Sequence, residues 1–447
     1  MSSDPTPKLL DLAPELVDNV IKRVSSRRDL SNVRLTCKAL DEHAAKELFK
    51  DIYLSPSDIQ NWNSISQDDT SDIERDSSWG GGREHEEINE DYETALAALS
   101  KFPNLDSVEI GFTPECIGKD HDYYKDVAEE VEQREYMLEL IFQAIKDRAT
   151  DEKNRTIRKL TIVNLQNCPL PEFTSSDLFR DVMGQLEELH IEMIQEYNEP
   201  GPDHDYTKVE LQTFPAYFCS HWLKPISANL RALSIYSKTD NWGPFPGYFD
   251  PSGISFPKLE TLALAYYTLA HDSDLDWILA IKSLRKLILH SCMIASWIRI
   301  GNDNMQVWQP PMHDWTKMSE EEEHSWAVSF AYGTQWSQYL DRIAGGLPNL
   351  IDFRFDQSGY RSQPGCPYGV NDRDSCGTRI FAQRYICFDN GILPTHWPEA
   401  EEDGSMYSWL DDGFPVNKHA ENLEADQNSL DRLLEKLGKR RSFEPSG

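Results

Sequence analysis

The residues of this 447-residue chain that could do chemistry lie in two short acidic-histidine segments. Asp120-His121-Asp122-Tyr123 and Asp203-His204-Asp205-Tyr206 each place carboxylates beside an imidazole, and these donor types bind divalent metal ions. No further ligand stands at a fixed spacing from either segment, and both lie in polar stretches next to proline or glycine. The segments therefore indicate solvated turns, and the sequence predicts neither a bound metal ion nor a cofactor.

Signatures of the common enzyme classes are missing from the sequence. It contains no Gly-x-Ser-x-Gly elbow and no His-Glu-x-x-His zinc motif. The glycines at 80–82 are not followed by Gly-Lys-Ser/Thr, so they do not indicate a phosphate-binding loop. Eight scattered cysteines without a Cys-x-x-Cys pair favour reduced thiols over disulfides or zinc fingers. A non-catalytic protein is the prediction, with an enzyme that lacks recognisable motifs as an alternative.

Charge and hydropathy limit the partners and the compartment. A formal net charge of -32 repels phosphate backbones, so we expect no nucleic-acid partner. No run of eighteen apolar residues appears, and the N-terminus lacks the layout of a signal peptide, so we expect no membrane partner and a cytoplasmic or nuclear protein. Acidic residues cluster in 55–93, predicted to be a flexible insertion, and in 357–447, predicted to be a partly disordered C-terminal extension.

Three short helices are predicted near the N-terminus. Pro14 suits a first helical turn, where its missing N–H would have no intrahelical partner. Apolar residues then recur at helical spacing from Leu16 to Val24, a second helix follows a Ser26–Asp29 capping box, and a third is capped by Asp41 and continues to Ile52. Three helices of this size cannot bury every apolar residue they carry, so their spare surface implies a partner or a neighbouring domain.

Ten residues in these helices match the order and spacing of the F-box family. They are Leu12, Pro14, Glu15, Leu16, Ile21, Val24, Leu30, Leu35, Cys37 and Lys38. The segment 8–54 resembles F-boxes of the filamentous-fungal type. The resemblance implies that these positions contact the Skp adaptor of a cullin-RING ubiquitin ligase or hold the box together. A plain helical cap on the following domain is the alternative interpretation.

An apolar triplet of the form LxxLxL recurs seven times within 94–356 and predicts a short strand each time. Its instances are Leu105/Val108/Ile110, Ile157/Leu160/Ile162, Leu186/Leu189/Ile191, Leu230/Leu233/Ile235, Leu259/Leu262/Leu264, Leu284/Leu287/Leu289 and Leu350/Phe353/Phe355. Helix-period segments lie between some of the strands, for example from Val127 to Ile145, so the alternation predicts parallel pairing. The fold class is therefore α/β: a three-helix F-box followed by an irregular leucine-rich-repeat-like arch with a parallel sheet. Another α/β arrangement remains open because the spacing is irregular.

A protein substrate could contact this region in two places. The residue between the second and third apolar positions of each triplet should point to the opposite face of the sheet, which places His190 and Arg354 on that face. Trp297, Trp308 and Trp315 crowd a long segment with little periodicity, and aromatic residues often anchor interfaces. The alternative is that this segment folds onto the core. The stripe Trp326, Phe330, Trp336, Leu340 and Ile343 predicts a buried helix after it.

The sequence thus predicts the substrate-recognition subunit of a Skp-cullin-F-box type ubiquitin ligase, a non-catalytic adaptor. Its expected partners are the Skp adaptor, the cullin ligase core and an unidentified protein substrate. A ligase-independent protein-binding scaffold with a helical N-terminal cap is the alternative.

Overall fold

A computed structural model describes residues 13–24, 27–48, 51–54, 96–114, 116, 130–195, 209–237, 241–318, 326–357, 376–390, 397 and 418–442. Leu12, Ser26, both acidic-histidine segments and the acidic stretch 55–93 lie outside the described residues.

Helices α1 (Pro14–Ile21), α2 (Arg27–Arg34) and α3 (Lys38–Leu48) form the N-terminal unit. Helix α1 begins at Pro14 as predicted. Helix α3 begins earlier than predicted, so Asp41 lies inside its first turn and accepts a 2.6 Å hydrogen bond from Arg34 Nε instead of capping the helix. The three helices share a small apolar core that has no member in common with the main core. Its buried members are Val17, Ile21, Leu30, Leu40 and Ala44.

Eight parallel strands form the main sheet, and their order across the sheet follows their order in the chain, although four strands of a second sheet lie between some of them in the sequence. They are β1 (Asp51–Leu54), β2 (Ser107–Gly111), β3 (Lys159–Gln166), β4 (Glu188–Ile194), β5 (Ala232–Ser237), β6 (Thr261–Ala265), β8 (Lys286–His290) and β12 (Asp352–Asp356). The predicted α/β fold with a parallel sheet is confirmed. The prediction that the third helix continues to Ile52 is wrong, because Ile52 pairs with Val108 on the edge strand.

The seven apolar triplets set the register of this sheet. Their middle residues lie side by side on adjacent strands, and all are at most 2% exposed: Val108, Leu160, Leu189, Leu233, Leu262, Leu287 and Phe353. Because side chains alternate between faces along a strand, any shift by one residue would move this whole row to the other face. The triplets therefore specify one register across seven strands.

A repeated backbone kink lies near the carboxyl ends of three of these strands, within β3 at Asn164 and directly after β6 and β8 at Tyr266 and Ser291. Asn164, Tyr266 and Ser291 have positive φ angles of 60°, 56° and 47°, and each stands two positions after the last apolar residue of its triplet. Non-glycine residues seldom adopt this conformation, so its recurrence at one repeat position marks a shared turn. Cys292 follows the third of these kinks, and its Sγ donates to the Leu264 carbonyl at 3.4 Å.

Helices of the first half pack on the sheet through aromatic rings. They are α4 (Val131–Arg148), α5 (Pro171–Ser175), α6 (Asp177–Met183) and α7 (Val209–Tyr217), which continues as a π-helix over Phe218–Leu223. The predicted helical stripe on α4 is buried. Phe142 on α4 lies 5.0 Å from Phe173 and 5.8 Å from Phe179, measured between ring centroids, and Trp222 lies 5.2 Å from Phe179. Offset and edge-to-face aromatic pairs of this kind stabilise a core.

A second, mixed sheet follows in the chain and shares the main core. Its strands are β7 (Thr268–Leu269), β9 (Met293–Gly301), β10 (Trp315–Lys317), β11 (Ala327–Tyr332) and β13 (Tyr385–Asn390). The accompanying helices are α8 (Asp276–Ala280), α9 (Asn302–Trp308), α10 (Trp336–Gly346) and α11 (His419–Ser442). None of the helices in the described ranges, including the 24-residue α11, is apolar enough to cross a membrane.

The predicted helical stripe from Trp326 to Ile343 is wrong in its first half. Phe330 lies on β11, which pairs antiparallel with β9, and the helix α10 begins only at Trp336. Trp326 precedes the strand and is 37% exposed. Pairing with the buried strand β9 thus overrides the helical spacing of these residues.

Segment 357–447, predicted as an extension, contributes β13 and α11 to the fold. Asp426 on α11 is fully buried, and three donors from elsewhere in the chain meet its carboxylate. Ser337 N donates to Oδ1 at 2.7 Å, Arg384 Nε donates to Oδ2 at 2.7 Å, and Tyr385 Oη donates to Oδ2 at 2.9 Å. A buried charge requires such partners, because desolvation without them costs several kcal/mol. Asp426 therefore fastens α11 to α10 and β13.

Replacing Asp426 by alanine should lower the free energy of unfolding by about 3–5 kcal/mol, because it leaves the Arg384 guanidinium buried without its carboxylate. Urea unfolding followed by circular dichroism measures this loss. Asp341→Ala is the control, because the Asp341–Arg432 pair, at 3.0 Å, is half exposed and should contribute less than about 1 kcal/mol. Equal losses in the two variants would contradict the role assigned to Asp426.

Candidate functional site

The predicted adaptor-contact residues divide between the surface and the core of the N-terminal unit. Leu16 is 51% exposed and Leu35 is 80% exposed. Ile21 and Leu30 are buried in the small helical core. Among the others, Pro14 and Lys38 are exposed, Val24 and Cys37 are half-buried, Glu15 lies in α1, and Leu12 lies outside the described residues.

An exposed aliphatic surface on α1 includes one residue that the adaptor prediction left out. Val20 is 44% exposed and stands one helical turn after Leu16, so the two side chains share a face. The spacing of Leu16, Val17, Val20 and Ile21 predicted one buried stripe. In the structure, Val17 and Ile21 face the helical core while Leu16 and Val20 face away from it. We call Leu16, Val20 and Leu35 the helical apolar surface.

The strand face predicted to contact substrate is one continuous row, but its middle is closed. Its residues pair in register across adjacent strands: Glu109, Thr161, His190, Ser234, Ala263, Ile288 and Arg354. His190 is 3% exposed, and Ala263 and Ile288 are fully buried. A parallel sheet is commonly covered on both faces, which explains why Ala263 and Ile288 on this row are apolar. The centre of this face is therefore buried and offers no exposed surface for a substrate to contact.

His190 and Arg354 bind neighbouring side chains of their own strands. His190 Nε2 lies 3.5 Å from Glu188 Oε2, and the hydrogen bond with this imidazole is the main cause that lowers the pKa of Glu188 to about 2. Arg354 Nε donates to Asp352 Oδ1 at 2.8 Å, and its Nη1 donates to the Cys376 carbonyl at 3.0 Å. His190 therefore presents little free surface to a substrate, whereas Arg354 keeps about a third of its side chain exposed.

Glu188 should make stability fall in acid. Its pKa in the folded state lies below the ordinary value, so its contribution is complete above pH 4.5 and is lost as the pH falls towards about 2. We expect Glu188→Gln to be less stable than the wild type by about 1–2 kcal/mol at pH 6, after allowance for partial solvent exposure. The difference should be much smaller at pH 2.5 and should close only below about pH 2. Urea unfolding at both pH values measures it, and a pH-independent difference would contradict the assignment.

The three tryptophans of the predicted substrate-contact segment are buried. Trp297 lies on β9, Trp308 ends α9 and Trp315 begins β10, with exposures of 5%, 3% and 9%. Phe245 packs against Trp308 and Trp315, each at 5.5 Å between ring centroids. The side chains therefore contact the protein's own core, and the substrate hypothesis loses the exposed aromatic surface on which it depended.

Trp315→Ala should lower the free energy of unfolding by about 3–5 kcal/mol, because it empties a buried site and removes the 2.9 Å hydrogen bond from Nε1 to the Ala270 carbonyl. Met312→Ala, at a nearby residue that is 40% exposed, should change it by less than about 0.5 kcal/mol. Chemical denaturation distinguishes the two roles. A Trp315→Ala protein as stable as the wild type would contradict the core role and would favour the hypothesis that Trp315 contacts a substrate.

A small apolar recess of about 40 Å³ lies at the carboxyl ends of β3, β4 and β5. Met193 and Gln195 at the end of β4, Phe214 and Phe218 on the helix after it, and Trp242 line the recess. Ligands of open parallel sheets bind at this edge, where the strands end and the connections diverge. The recess itself has room for little more than a water molecule.

A polar cleft of about 450 Å³ lies between the residues that follow β7 and those that precede β10. His313 and Asp314 line it together with Asp272 and Arg342, and His271 lies behind them. Burial, followed by the nearby His313, lowers the pKa of His271 to about 4, so its imidazole is neutral at pH 7. His271 and His313 stand 42 positions apart, and the only sequence signal is that an aspartate follows each of them, as in the acidic-histidine segments.

No protein-family model matches the chain, and comparison with curated proteins finds no similar sequence. The F-box resemblance therefore depends on the N-terminal residues alone.

Proposed function

We propose that this chain is a substrate-recognition subunit of a Skp-cullin-F-box type ubiquitin ligase. In this proposal α1 to α3 dock onto the Skp adaptor, and the domain built on the parallel sheet receives a protein substrate. The observation that carries the proposal is the exposure of the residues named the helical apolar surface. Leu16 and Val20 share a face of α1, Leu35 follows α2, and all three stay exposed although the helices have an apolar core of their own.

Exposed aliphatic side chains at these positions favour a protein partner. Full burial of one such side chain is worth about 1.5–3 kcal/mol, so the helical apolar surface could supply several kcal/mol to docking. The buried residues Ile21 and Leu30 of the F-box-like pattern would keep the helices packed, and the exposed residues Pro14, Leu16, Leu35 and Lys38 would meet the adaptor.

Regularity of the main sheet supports a repeat domain of the leucine-rich type. Each triplet lies on or beside a strand, the strands follow the chain order, and a positive-φ residue recurs at one repeat position. The Cys292 thiol, at the ninth position of its repeat, donates to the neighbouring strand. These features favour the irregular leucine-rich-repeat arch over an unrelated α/β arrangement.

A ligase-independent scaffold is the second candidate, and one contact favours it. Strand β1 follows α3 closely in the chain and pairs with β2 through Asp51–Leu54. That pairing joins the end of the helical unit to the main sheet, which is the arrangement expected if the helices cap this domain. Binding to the adaptor distinguishes the two functions, because only the ligase subunit requires it.

The double variant Leu16→Ala/Leu35→Ala should bind purified Skp adaptor about 100-fold more weakly than the wild type. The estimate assumes that each truncation removes about 1.5 kcal/mol of apolar burial. Titration of the adaptor by isothermal calorimetry measures the affinity, and circular dichroism checks that the helices remain folded.

The matched control is Val307→Ala/Leu423→Ala, which truncates two aliphatic side chains that are 71% and 44% exposed on α9 and α11. This control should bind the adaptor like the wild type. A wild-type chain that does not bind the adaptor would exclude the ligase function. Binding by the wild type and unchanged binding by Leu16→Ala/Leu35→Ala would instead exclude the helical apolar surface as the docking site.

A further inference from the structure

Two histidines and an aspartate meet at the wall of the polar cleft. Their donor atoms all lie within 4.8 Å of one another. The His271 side chain is 3% exposed, Asp314 is 26% exposed and His313 is 60% exposed, so the group reaches from the protein interior to the solvent.

The separations of the donor atoms match a tetrahedral metal site. Asp314 Oδ2 lies 3.5 Å from His271 Nδ1 and 3.3 Å from His313 Nε2. Zinc binds histidine nitrogen and carboxylate oxygen at about 2.0–2.2 Å, which sets neighbouring ligands about 3.3 Å apart in a tetrahedron. The side chains already stand close to the positions that a single ion would require.

Surrounding contacts hold His271 and Asp314 in place. The His271 ring is stacked on Trp315 at 5.2 Å, measured between ring centroids. The His313 ring also stacks on His271, at 4.4 Å, but it is 60% exposed and would turn out of this stack to direct its nitrogen at the same ion. The Asp272 amide donates to Asp314 Oδ2 at 3.0 Å, and Asp274 Oδ2 accepts from the His271 amide at 2.8 Å. Hydrogen bonds to a ligating carboxylate are the usual support around a bound metal ion.

His271 itself points to a missing ligand. Within the described residues neither ring nitrogen makes a hydrogen bond of good geometry, although the side chain is almost completely buried and Asp314 Oδ2 stands 3.5 Å from Nδ1. Buried polar atoms in folded proteins nearly always have a partner, and leaving one without a partner is costly. A metal ion bound between His271 and Asp314 would satisfy the buried imidazole.

We propose that His271, His313 and Asp314 bind one Zn²⁺ ion, with the remaining coordination position open to the polar cleft. Two imidazoles and one carboxylate suit zinc better than magnesium or calcium, which prefer oxygen ligands. The ion would join the turn after β7 to the segment before β10, and a water molecule would complete its coordination on the cleft side. The inference does not depend on the proposed ligase function.

Isothermal calorimetry of the tag-free full chain with ZnCl₂ at pH 7 tests the site. We expect saturable binding of one equivalent. His313→Ala removes an exposed ligand without disturbing the core and should weaken this binding by more than the roughly 10- to 100-fold that loss of an outer-sphere partner costs. Asp314→Asn should also weaken it. His221→Ala, which removes a histidine of the π-helix away from the cleft, should bind zinc like the wild type.

Cobalt provides a second readout that identifies the donors. Co²⁺ in the wild-type chain should show the visible absorption of a tetrahedral site without thiolate-to-cobalt charge transfer, and His313→Ala should lose that absorption. Zinc binding by His313→Ala equal to that of the wild type, thiolate charge transfer, or no saturable wild-type binding at 100 μM ZnCl₂ would each overturn the proposal.

Discussion

The register of the parallel sheet is the constraint on which the rest of the structure depends. Seven apolar triplets align so that their middle residues form one buried row, from Val108 on β2 to Phe353 on β12. A shift of one residue would exchange the two faces of a strand, so each triplet confirms the register of its neighbours. This alignment also places the carboxyl ends of the strands at one edge, where the kinks at Asn164, Tyr266 and Ser291 redirect the chain. The apolar recess and the turns that lead into the second sheet follow from that geometry.

Buried charges join the later part of the chain to this framework. Arg299 on β9 and Asp389 on β13 are register partners and form an ion pair with no exposed side-chain surface. Asp426 on α11 accepts hydrogen bonds from Arg384 and Tyr385 and so joins this helix to β13. Each charge is tolerable only with its partner in place, because an unpaired buried charge costs more than most single packing contacts. These pairs make the late strand and the last helix part of the folded core.

The N-terminal helices follow a different rule, because their apolar residues have a small core of their own. A core this small stabilises little by itself, and the helices still expose Leu16, Val20 and Leu35. Spare apolar surface on a marginal unit favours binding to a partner. The polar cleft is lined by a packed part of the fold, where the His271 ring stacks on Trp315. The two features lie on separate units of the structure, so the proposed docking and the proposed metal binding can be tested independently.

Local patterns in the sequence predicted seven strands of the main sheet, their parallel pairing and the start of α1 at Pro14. These predictions succeed because strand and helix periodicities and proline geometry depend on neighbouring residues alone. Only the tertiary structure decided which apolar residues face outward. Val20 is exposed although its helical spacing predicted burial, and Trp308 is buried although it was a candidate for substrate contact. Helical spacing from Trp326 to Ile343 failed because pairing with β9 outweighs local preference. His271 and Asp314 became neighbours only through the fold, because no spacing rule records contacts between residues brought together by packing distant strands.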